Sequence, residues 1–381
     1  MRDPVHILLV GAGHAHVQVL EAFAKRLEPG IRLTLVTPAE RTPYSGMLPG
    51  YLAGFYSERQ MTIDAAGLAR AAGAGFRLGK VVGLDLAKRS AQLLGGAELA
   101  YDLISLDIGS QPRRAETAAG IPVKPIDRFT ETVDTILADA RLRARDACVR
   151  LAVIGAGAAG VELAFALRRR LSDELDGRPF TISLVGAEPD ILMERSTRTR
   201  RRLRKTLTNK GIALFLGSEV VTSDERGATL ADGRHVAADA LIWATGSSAA
   251  SWLKTTGLTL DEAGFVRVDD HLRSLSHDSL FAAGDIAALP EPRPKAGVFA
   301  VREGPILAAN LRRAARGKRL KTYRPQAQWL TLLSTADGRA VADKWGISLE
   351  GRWVFRWKDW NDRRFVQRFE TLVEASSAAR R

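Results

Sequence analysis

The sequence is poor in cysteine and has no long apolar run, and each absence excludes a class of protein. Cys148 is the single cysteine among 381 residues, so an internal disulfide, a cysteine metal cluster and electron transfer through a cysteine pair are all excluded. We interpret Cys148 as an inert packing residue before a buried strand. No run of apolar residues is long enough for a membrane-spanning helix.

The first residues leave no room for a signal peptide, because the apolar strand Val5–Val10 follows almost at once and ends in glycine. We therefore expect a cytoplasmic protein, with peripheral attachment to the inner face of the membrane left open. The length and the 46% hydrophobic content suit two domains.

A formal net charge of +13 suits an anionic cofactor, an anionic substrate or anionic lipid. We expect no nucleic-acid partner. Much of the charge lies in the C-terminal tail and in residues 195–205, and the latter segment is interpreted as an exposed helix.

The first strand runs into a glycine turn, Gly11-Ala12-Gly13-His14-Ala15-His16, and then into a segment with helical apolar spacing. Glycines let the backbone approach a pyrophosphate, which the helix N-terminus favours. Gly11, Gly13, His14 and Ala15 are therefore predicted to bind a cofactor. His16 replaces the third glycine of the motif, and a structural role is predicted for it.

A second and complete copy of the motif, Gly155-x-Gly157-x-x-Gly160, follows the strand Leu151–Ile154. The strand-like Phe180–Val185 completes a βαβ unit. Two such units predict two bound dinucleotides, and electron transfer between them is the natural reason to hold both.

Two further strands end in Ala244-Thr245-Gly246 and in Gly284-Asp285. Their order resembles that of the two-dinucleotide flavoprotein superfamily, the pyridine nucleotide-disulfide oxidoreductases. The resemblance implies an α/β fold of two Rossmann-like three-layer domains and a small C-terminal α+β region. It places FAD on 1–114 and 265–325, NADH or NADPH on 115–264, and a cap on 326–381.

The same resemblance implies that Asp285 binds the ribityl part of FAD. It makes the segment around Gly109 a degenerate form of Ala-Thr-Gly, and it adds Gly246 and Gly284 to the cofactor-binding residues. The acids that would bind the ribose hydroxyls are poorly placed, since Gly186 stands at the second strand's end and Glu188 comes late. NADH and NADPH both stay open.

The segment 42–54 carries no cysteine, so the disulfide reductase and sulfide:quinone oxidoreductase branches are disfavoured. The chain resembles type II NADH dehydrogenases. A narrower resemblance is to the flavoproteins found beside, or fused to, selenide, water dikinase. The phrases that carry this narrower resemblance are Val10–Val17, Thr42–Gly50, Pro294–Arg302 and Leu333–Arg339.

By resemblance, Glu162 lies near the nicotinamide and the flavin, although it is also a plain first-turn acid. Lys295 is predicted at the pyrimidine edge of the flavin, where a cation would stabilise the reduced form. Tyr44, Ser45 and Met47 line the other flavin face, or belong to the core. Catalytic roles are predicted for Glu162, Lys295 and Tyr44; Ser45 and Lys295 are also expected to bind FAD.

The tail mixes tryptophans with cations, which suits a lipid headgroup interface or a cap with a solvated basic face. These tryptophans are Trp329, Trp345, Trp353, Trp357 and Trp360. Three functions stay open: a dehydrogenase that passes electrons to a quinone, a lipid-independent reductase or oxidase of a selenium or sulfur compound or of oxygen, and a flavin-binding partner of the dikinase. A homodimer is also left open, and no metal is expected.

Overall fold

The computed structural model describes residues 3–113, 118–142 and 144–378. The first segment alternates buried strands with helices and carries a small antiparallel meander before its last two strands. Its elements are β1 (Val5–Val10), α1 (His16–Lys25), β2 (Ile31–Thr37), β3 (Arg41–Pro43), α2 (Leu48–Leu52), α3 (Glu58–Met61), β4 (Thr62–Asp64), α4 (Ala65–Ala71), β5 (Gly75–Leu78), β6 (Val81–Asp85), β7 (Ser90–Leu93), β8 (Glu98–Ala100), β9 (Leu103–Leu106) and β10 (Gln111–Pro112).

The middle segment contains a second parallel sheet in the order β11-β18-β12-β13-β14. The predicted boundary at residues 114 and 115 lies outside the described residues. The elements of this segment are β11 (Ile121–Pro122), α5 (Ile126–Leu142), β12 (Val149–Ile154), α6 (Ala158–Glu174), β13 (Phe180–Gly186), α7 (Thr197–Asn209), β14 (Ile212–Leu216), β15 (Val220–Asp224), β16 (Gly227–Leu230), β17 (His235–Ala237), β18 (Ala240–Trp243) and β19 (Ser247–Ser248).

The chain then returns to the first sheet through β20 (Val266–Arg267), β21 (Leu280–Ala282), β22 (Ala287–Ala288) and α8 (Gly297–Ala314). Strand β21 pairs in parallel with β9, which gives the order β21-β9-β1-β2-β5. The first sheet is thus built from two stretches of sequence with the middle segment inserted between them. This confirms the predicted α/β fold with two Rossmann-like domains, one of them discontinuous in sequence.

A C-terminal cap of three antiparallel strands and one long helix completes the described chain. It comprises β23 (Thr331–Ser334), β24 (Ala340–Lys344), β25 (Ile347–Gly351) and α9 (Arg352–Ala378). Helix α9 packs on α1 and α4, whereas the cap strands contact α6 and α7. The cap therefore spans both parallel sheets. None of the helices in the described part of the chain has the length and apolar character needed to cross a bilayer.

Apolar sequence and parallel pairing explain where the core lies. Strand β1 is flanked by β2 and β9 and is almost completely buried, as expected for a central strand covered on both faces. The carboxyl ends of β1 and β12 each lead into a glycine turn, so both turns lie where parallel α/β sheets bind ligands.

Candidate functional site

The first glycine turn is held in place by backbone contacts that leave no space for a side chain. Gly11 has a φ of 85° and its amide donates to Val36 O at 2.8 Å. A Cβ on Gly11 would collide with the carbonyl of Asp107, and one on Gly13 would collide with the Asp107 carboxyl group. Both glycines are therefore required by close packing at the end of β1.

Asp107, just after β9, caps the N-terminus of helix α1. Its Oδ2 accepts hydrogen bonds from the amides of Ala15 and His16, each at 2.9 Å. Burial raises the pKa of this carboxyl to about 7, although the two amides oppose the shift. These amides are thus already used within the protein, so a pyrophosphate at this turn would depend on its other donors.

His16 is a buried structural residue, as predicted. Its Nδ1 lies 2.6 Å from Gly11 O and its Nε2 lies 2.8 Å from Ser105 Oγ. Because a carbonyl only accepts, Nδ1 donates and Nε2 accepts the serine hydroxyl. Burial lowers the pKa of His16 to about 4, which keeps the ring neutral.

His14 points away from this network toward the start of α8. Its Nε2 is buried and, among the described residues, has no hydrogen-bond partner. A Cβ on Gly297 would lie 3.6 Å from His14 Cε1 and 3.8 Å from Ser45 Oγ, so these three residues border one space. An unpaired ring nitrogen facing a space bordered by glycine fits a bound polar cofactor.

Asp285 lies in a short turn after β21, opposite the first glycine turn. Its Oδ2 accepts from Ser110 Oγ at 2.7 Å and from Lys124 Nζ at 2.8 Å. Burial opposes ionisation, but Lys124 and Ser110 outweigh it and lower the pKa of Asp285. The residue predicted to bind ribityl hydroxyls is therefore a fixed carboxylate, which suits an acceptor role.

Lys295 and Glu303 flank the same turn. Lys295 Nζ donates to Ala287 O at 2.5 Å and lies 4.0 Å from the centroid of the Phe265 ring. Glu303 is buried and accepts from the Gly284 amide at 2.5 Å, and burial raises its pKa to about 8. The structure brings Lys295 close to the Asp285 turn, and its contact with a flavin stays a prediction.

The second glycine turn differs from the first in what caps its helix. A Cβ on Gly155 would collide with Ala244 O, and one on Gly160 would collide with Gly155 O, whereas one on Gly157 would meet no described atom within 4 Å. Among the described residues, no side chain accepts a hydrogen bond from the first amides of α6. This open helix start is suited to the phosphates of a dinucleotide.

Glu162 is the residue that connects the second turn with the cap. Its Oε1 accepts from the Ser334 amide at 2.8 Å. Burial raises its pKa to about 7, opposed by the charge of Lys358 and by the Ser334 amide. Glu162 is half-buried, and its raised pKa lets its carboxyl exchange a proton near neutral pH, which a fully solvated first-turn acid would not do.

A buried ion pair from α9 faces Glu162. Lys358 Nζ donates to Asp362 Oδ2 at 2.8 Å and to Gly46 O at 2.9 Å. Burial disfavours the ammonium, but Asp362 and Glu162 outweigh it and raise the pKa of Lys358. Charged side chains from α6 and α9 and a backbone carbonyl from the segment after β3 therefore meet at one point.

An aromatic wall lies beside this point. The Tyr44 ring stacks on Phe365 with centroids 4.7 Å apart, and His14 meets Tyr44 edge-on at 5.1 Å. Burial raises the pKa of Tyr44, so its hydroxyl stays protonated. Tyr44 and Ser45 are partly exposed, whereas Met47 is completely buried in the core.

Sequence reasoning missed several residues of the site, which are Asp107, Lys124, Glu303, Lys358, Asp362 and Phe365. Only the spacing of Lys358 and Asp362, one helical turn apart, gave a local signal. The segment 195–205 forms the largely exposed helix α7, as predicted, except that Arg195 precedes the helix with a side chain only 9% exposed. Trp329 packs between Phe299 and Arg195, which fits the cap interpretation for this one tryptophan.

Gly109 and Gly246 lie at the crossovers between the two sheets. Gly109 has a φ of 69°, and a Cβ there would meet no described atom within 4 Å. The Gly246 carbonyl accepts from the Arg113 amide at 2.5 Å. Both glycines therefore leave room beside the connecting strands. Cys148 is partly buried, and its thiol lies 3.9 Å from Val149 O.

Two parallel sheets that each end in a glycine turn define a protein that holds two dinucleotides. A family model described as pyridine nucleotide-disulphide oxidoreductase matches residues 5–304, and the chain belongs to this family. With Cys148 as its single cysteine, it lacks the cysteine pair after which the family is named. Membership of this family makes the chain an oxidoreductase that uses FAD and NAD(P)H.

Among curated proteins, an NADH dehydrogenase-like protein of Mycobacterium tuberculosis is 25% identical over 300 residues, which cover 74% of this chain and 72% of that one. Ferroptosis suppressor protein 1 of Xenopus tropicalis is 26% identical over 265 residues, covering 66% of this chain and 67% of that one. These relatives include sequences from bacteria and from vertebrates.

Among solved structures, NDH2 from Plasmodium falciparum in complex with NADH has a TM-score of 0.80 at 13% identity and covers 98% of both chains. The sulfide:quinone oxidoreductase of Aquifex aeolicus has a TM-score of 0.78 at 15% identity, covering 97% of this chain and 92% of that one. At these identities the similarity concerns the fold alone.

Proposed function

We propose that the chain passes the reducing equivalents of NAD(P)H, through FAD, to a quinone or quinone-like acceptor without a redox-active disulfide. One observation carries the proposal. The aromatic wall of Tyr44 and Phe365 stands beside the half-buried carboxyl of Glu162 and the buried Lys358–Asp362 pair, in a region without cysteine. An apolar wall with adjacent proton-exchanging groups suits a flat acceptor that takes up protons.

The proposed cofactor-binding residues are grouped around the two glycine turns. Bound FAD supplies the hydride acceptor of the reaction and passes its electrons on. Residues 1–114 and 265–325 would hold it, through Gly11, Gly13, His14, Ala15, Ser45, Gly109, Gly284, Asp285 and Lys295. Residues 115–264 would hold NAD(P)H, through Gly155, Gly157, Gly160 and Gly246, and 326–381 form the cap.

The protein's own part in the reaction is to position both nucleotides and to manage protons. Glu162 holds a proton at Oε below its pKa of about 7 and releases it above. The Lys358 ammonium faces this carboxyl and stabilises its charged form. Together they can deliver a proton to an oxygen of an acceptor docked against Tyr44.

The exposed side of the cap is the proposed contact with a membrane surface. Trp345, Trp353, Trp357 and Trp360 expose large parts of their side chains. Arg352, Arg356 and Arg364 lie exposed among them. Amphipathic rings beside cations suit the headgroup region of anionic lipid. We propose a peripheral contact there, which would bring the acceptor site close to a quinone pool.

Steady-state turnover distinguishes the acceptors. Purified protein is mixed with NADH or NADPH and either a short-chain ubiquinone analogue or oxygen alone, with and without vesicles of anionic lipid. The proposal predicts fast nucleotide oxidation with the quinone and slow oxidation with oxygen. Equal rates with and without quinone would contradict it and favour an oxidase. The association with selenide, water dikinase stays a prediction, which co-purification of the two proteins would test.

A further inference from the structure

Arg195 is a buried cation in the loop between β13 and α7. Its side chain is 9% exposed and its guanidinium lies over the Trp329 ring, 4.7 Å from the centroid. No hydrogen bond from this guanidinium to any described residue is formed, and its Nε is buried. The carboxylate of Glu194 approaches Nε only to 3.6 Å and is itself largely exposed.

The loop that carries Arg195 is attached to the second glycine turn. The Leu192 amide donates to Ala156 O at 2.9 Å, and the Arg195 amide donates to Leu192 O at 2.8 Å. On its other side, Trp329 meets Phe299 edge-on at 5.0 Å. Phe299 lies in the first turn of α8, just after Gly297. Arg195 therefore lies between the open start of α6 and the space bordered by His14 and Ser45.

The surroundings of Trp329 contain further polar atoms without partners. Gln326 Nε2 and Thr331 Oγ1, on either side of Trp329 in the sequence, are buried and unbonded among the described residues. A buried guanidinium with no acceptor is unfavourable unless a ligand supplies one. The planar fork of arginine matches the oxygens of a phosphate, and stacking on an aromatic ring pre-orients it.

The end of β13 lacks the acidic residue that commonly binds the adenosine ribose in NAD sites. A Cβ on Gly186 would lie 2.6 Å from the Ala156 Cβ, so an acidic side chain is sterically excluded where NAD sites commonly carry one. A nucleotide at this turn must therefore be held more by its phosphates than by its ribose hydroxyls.

We propose that Arg195, stacked on Trp329, binds a phosphate group of the NAD(P)H dinucleotide, either the pyrophosphate or the 2′-phosphate of NADPH. The inference rests on the proposed use of NAD(P)H at the second turn, and it identifies a binding residue that the glycine motif does not contain. A phosphate there would give the guanidinium the hydrogen-bond acceptors that the described residues do not supply, since Glu194 is only a 3.6 Å ion-pair neighbour.

Isothermal titration calorimetry of the oxidised flavoprotein with NAD⁺, NADP⁺, ADP and 2′,5′-ADP tests the inference without turnover. The variants are Arg195→Ala and Arg195→Lys. The matched control is Arg198→Ala, which removes an exposed cation of the neighbouring helix. Arg195→Ala should weaken binding roughly 10- to 100-fold, as for the loss of a charged hydrogen bond. Arg195→Lys should lie between, and Arg198→Ala should change little.

The four ligands separate the two phosphates. Weaker binding of NAD⁺, NADP⁺ and ADP would place Arg195 on the pyrophosphate, which 2′,5′-ADP lacks. Weaker binding of NADP⁺ and 2′,5′-ADP alone would place it on the 2′-phosphate. If Arg195→Ala and Arg195→Lys have wild-type flavin content and circular dichroism and bind the ligands as the wild type does, the inference about Arg195 is refuted. The proposed function is not affected by that result. Wild-type protein that binds none of the ligands would instead refute the proposed function itself.

Discussion

Replacing Lys124 with methionine removes the ammonium beside Asp285 and keeps most of the side-chain volume. In the wild type, Lys124 Nζ lies 2.8 Å from Asp285 Oδ2, and the side chains are 32% and 13% exposed. The variant leaves Ser110 as the remaining described donor to that oxygen. Because Lys124 is partly solvated, we expect the free energy of unfolding to fall by about 1–3 kcal/mol at pH 7, less than for a fully buried pair.

The pKa of Asp285 determines how this loss of stability should change with pH. The folded-state pKa of Asp285 is lowered below its usual 3.8, so its ionised form contributes stability above that value and loses it as the pH falls. The variant cannot use this contribution, because burial without Lys124 favours the neutral acid. The folded variant therefore takes up a proton on acidification well before the wild type does. The difference in unfolding free energy between the two should be largest at pH 7 and should shrink as the pH falls to 4.

Urea unfolding of Lys124→Met and Lys124→Arg at pH 7 and pH 4, followed by circular dichroism, measures the difference. Flavin content after gel filtration is read in parallel, since a weakly ionised Asp285 should also retain less FAD. Lys124→Arg keeps the charge and should stay close to wild type. A difference that is the same at both pH values, or a methionine variant as stable as the wild type, would refute the reasoning.

Two further predictions concern the glycine turns and Glu162. Gly13→Ala should lose most of its flavin on purification, because the new Cβ collides with Asp107. Gly157→Ala should keep its flavin and bind NAD⁺ more weakly, because its Cβ enters open space. Equal flavin loss in the two variants would contradict this. Glu162→Gln should slow quinone reduction roughly 100-fold. In the wild type we expect the rate to decline as the pH rises through about 7, where Glu162 loses its proton, and the variant should lack this decline. The same pH profile in both proteins would exclude Glu162 as the proton donor.

A third prediction concerns the cap. Trp353, Trp357 and Trp360 replaced together by serine should reduce co-sedimentation with anionic vesicles and leave the quinone-free flavin reduction unchanged, since all three rings are exposed. Undiminished sedimentation would place any membrane contact elsewhere.

The parts of the fold that follow from local sequence were predictable. Strand, glycine turn and helix are consecutive in the chain, so both turns and the strands after them could be placed, and Gly284-Asp285 marked the return to the first sheet. The site around Glu162 was not predictable in the same way. Lys358 and Asp362 reach it from the far end of the chain, and their spacing of one helical turn would be the same in a solvated ion pair.

Two other site residues were not recognised from the sequence because of the segments in which they lie. Asp107 stands where the degenerate Ala-Thr-Gly segment begins, and its role as the cap of α1 appears only once β1 and β9 are paired. Arg195 was grouped with a charged segment because its neighbours in sequence are basic. Its burial depends on Trp329, which belongs to a distant part of the chain.

Anaerobic stopped-flow absorbance is the most direct test of the central claim, that reducing equivalents pass from NAD(P)H to the bound flavin and on to a quinone. The yellow protein is mixed with NADH, then separately with NADPH, and a ubiquinone analogue is added after reduction. The account predicts rapid bleaching by at least one nucleotide and rapid recolouring by the quinone. A protein that neither nucleotide bleaches, or one that stays bleached in the presence of the quinone, would contradict it.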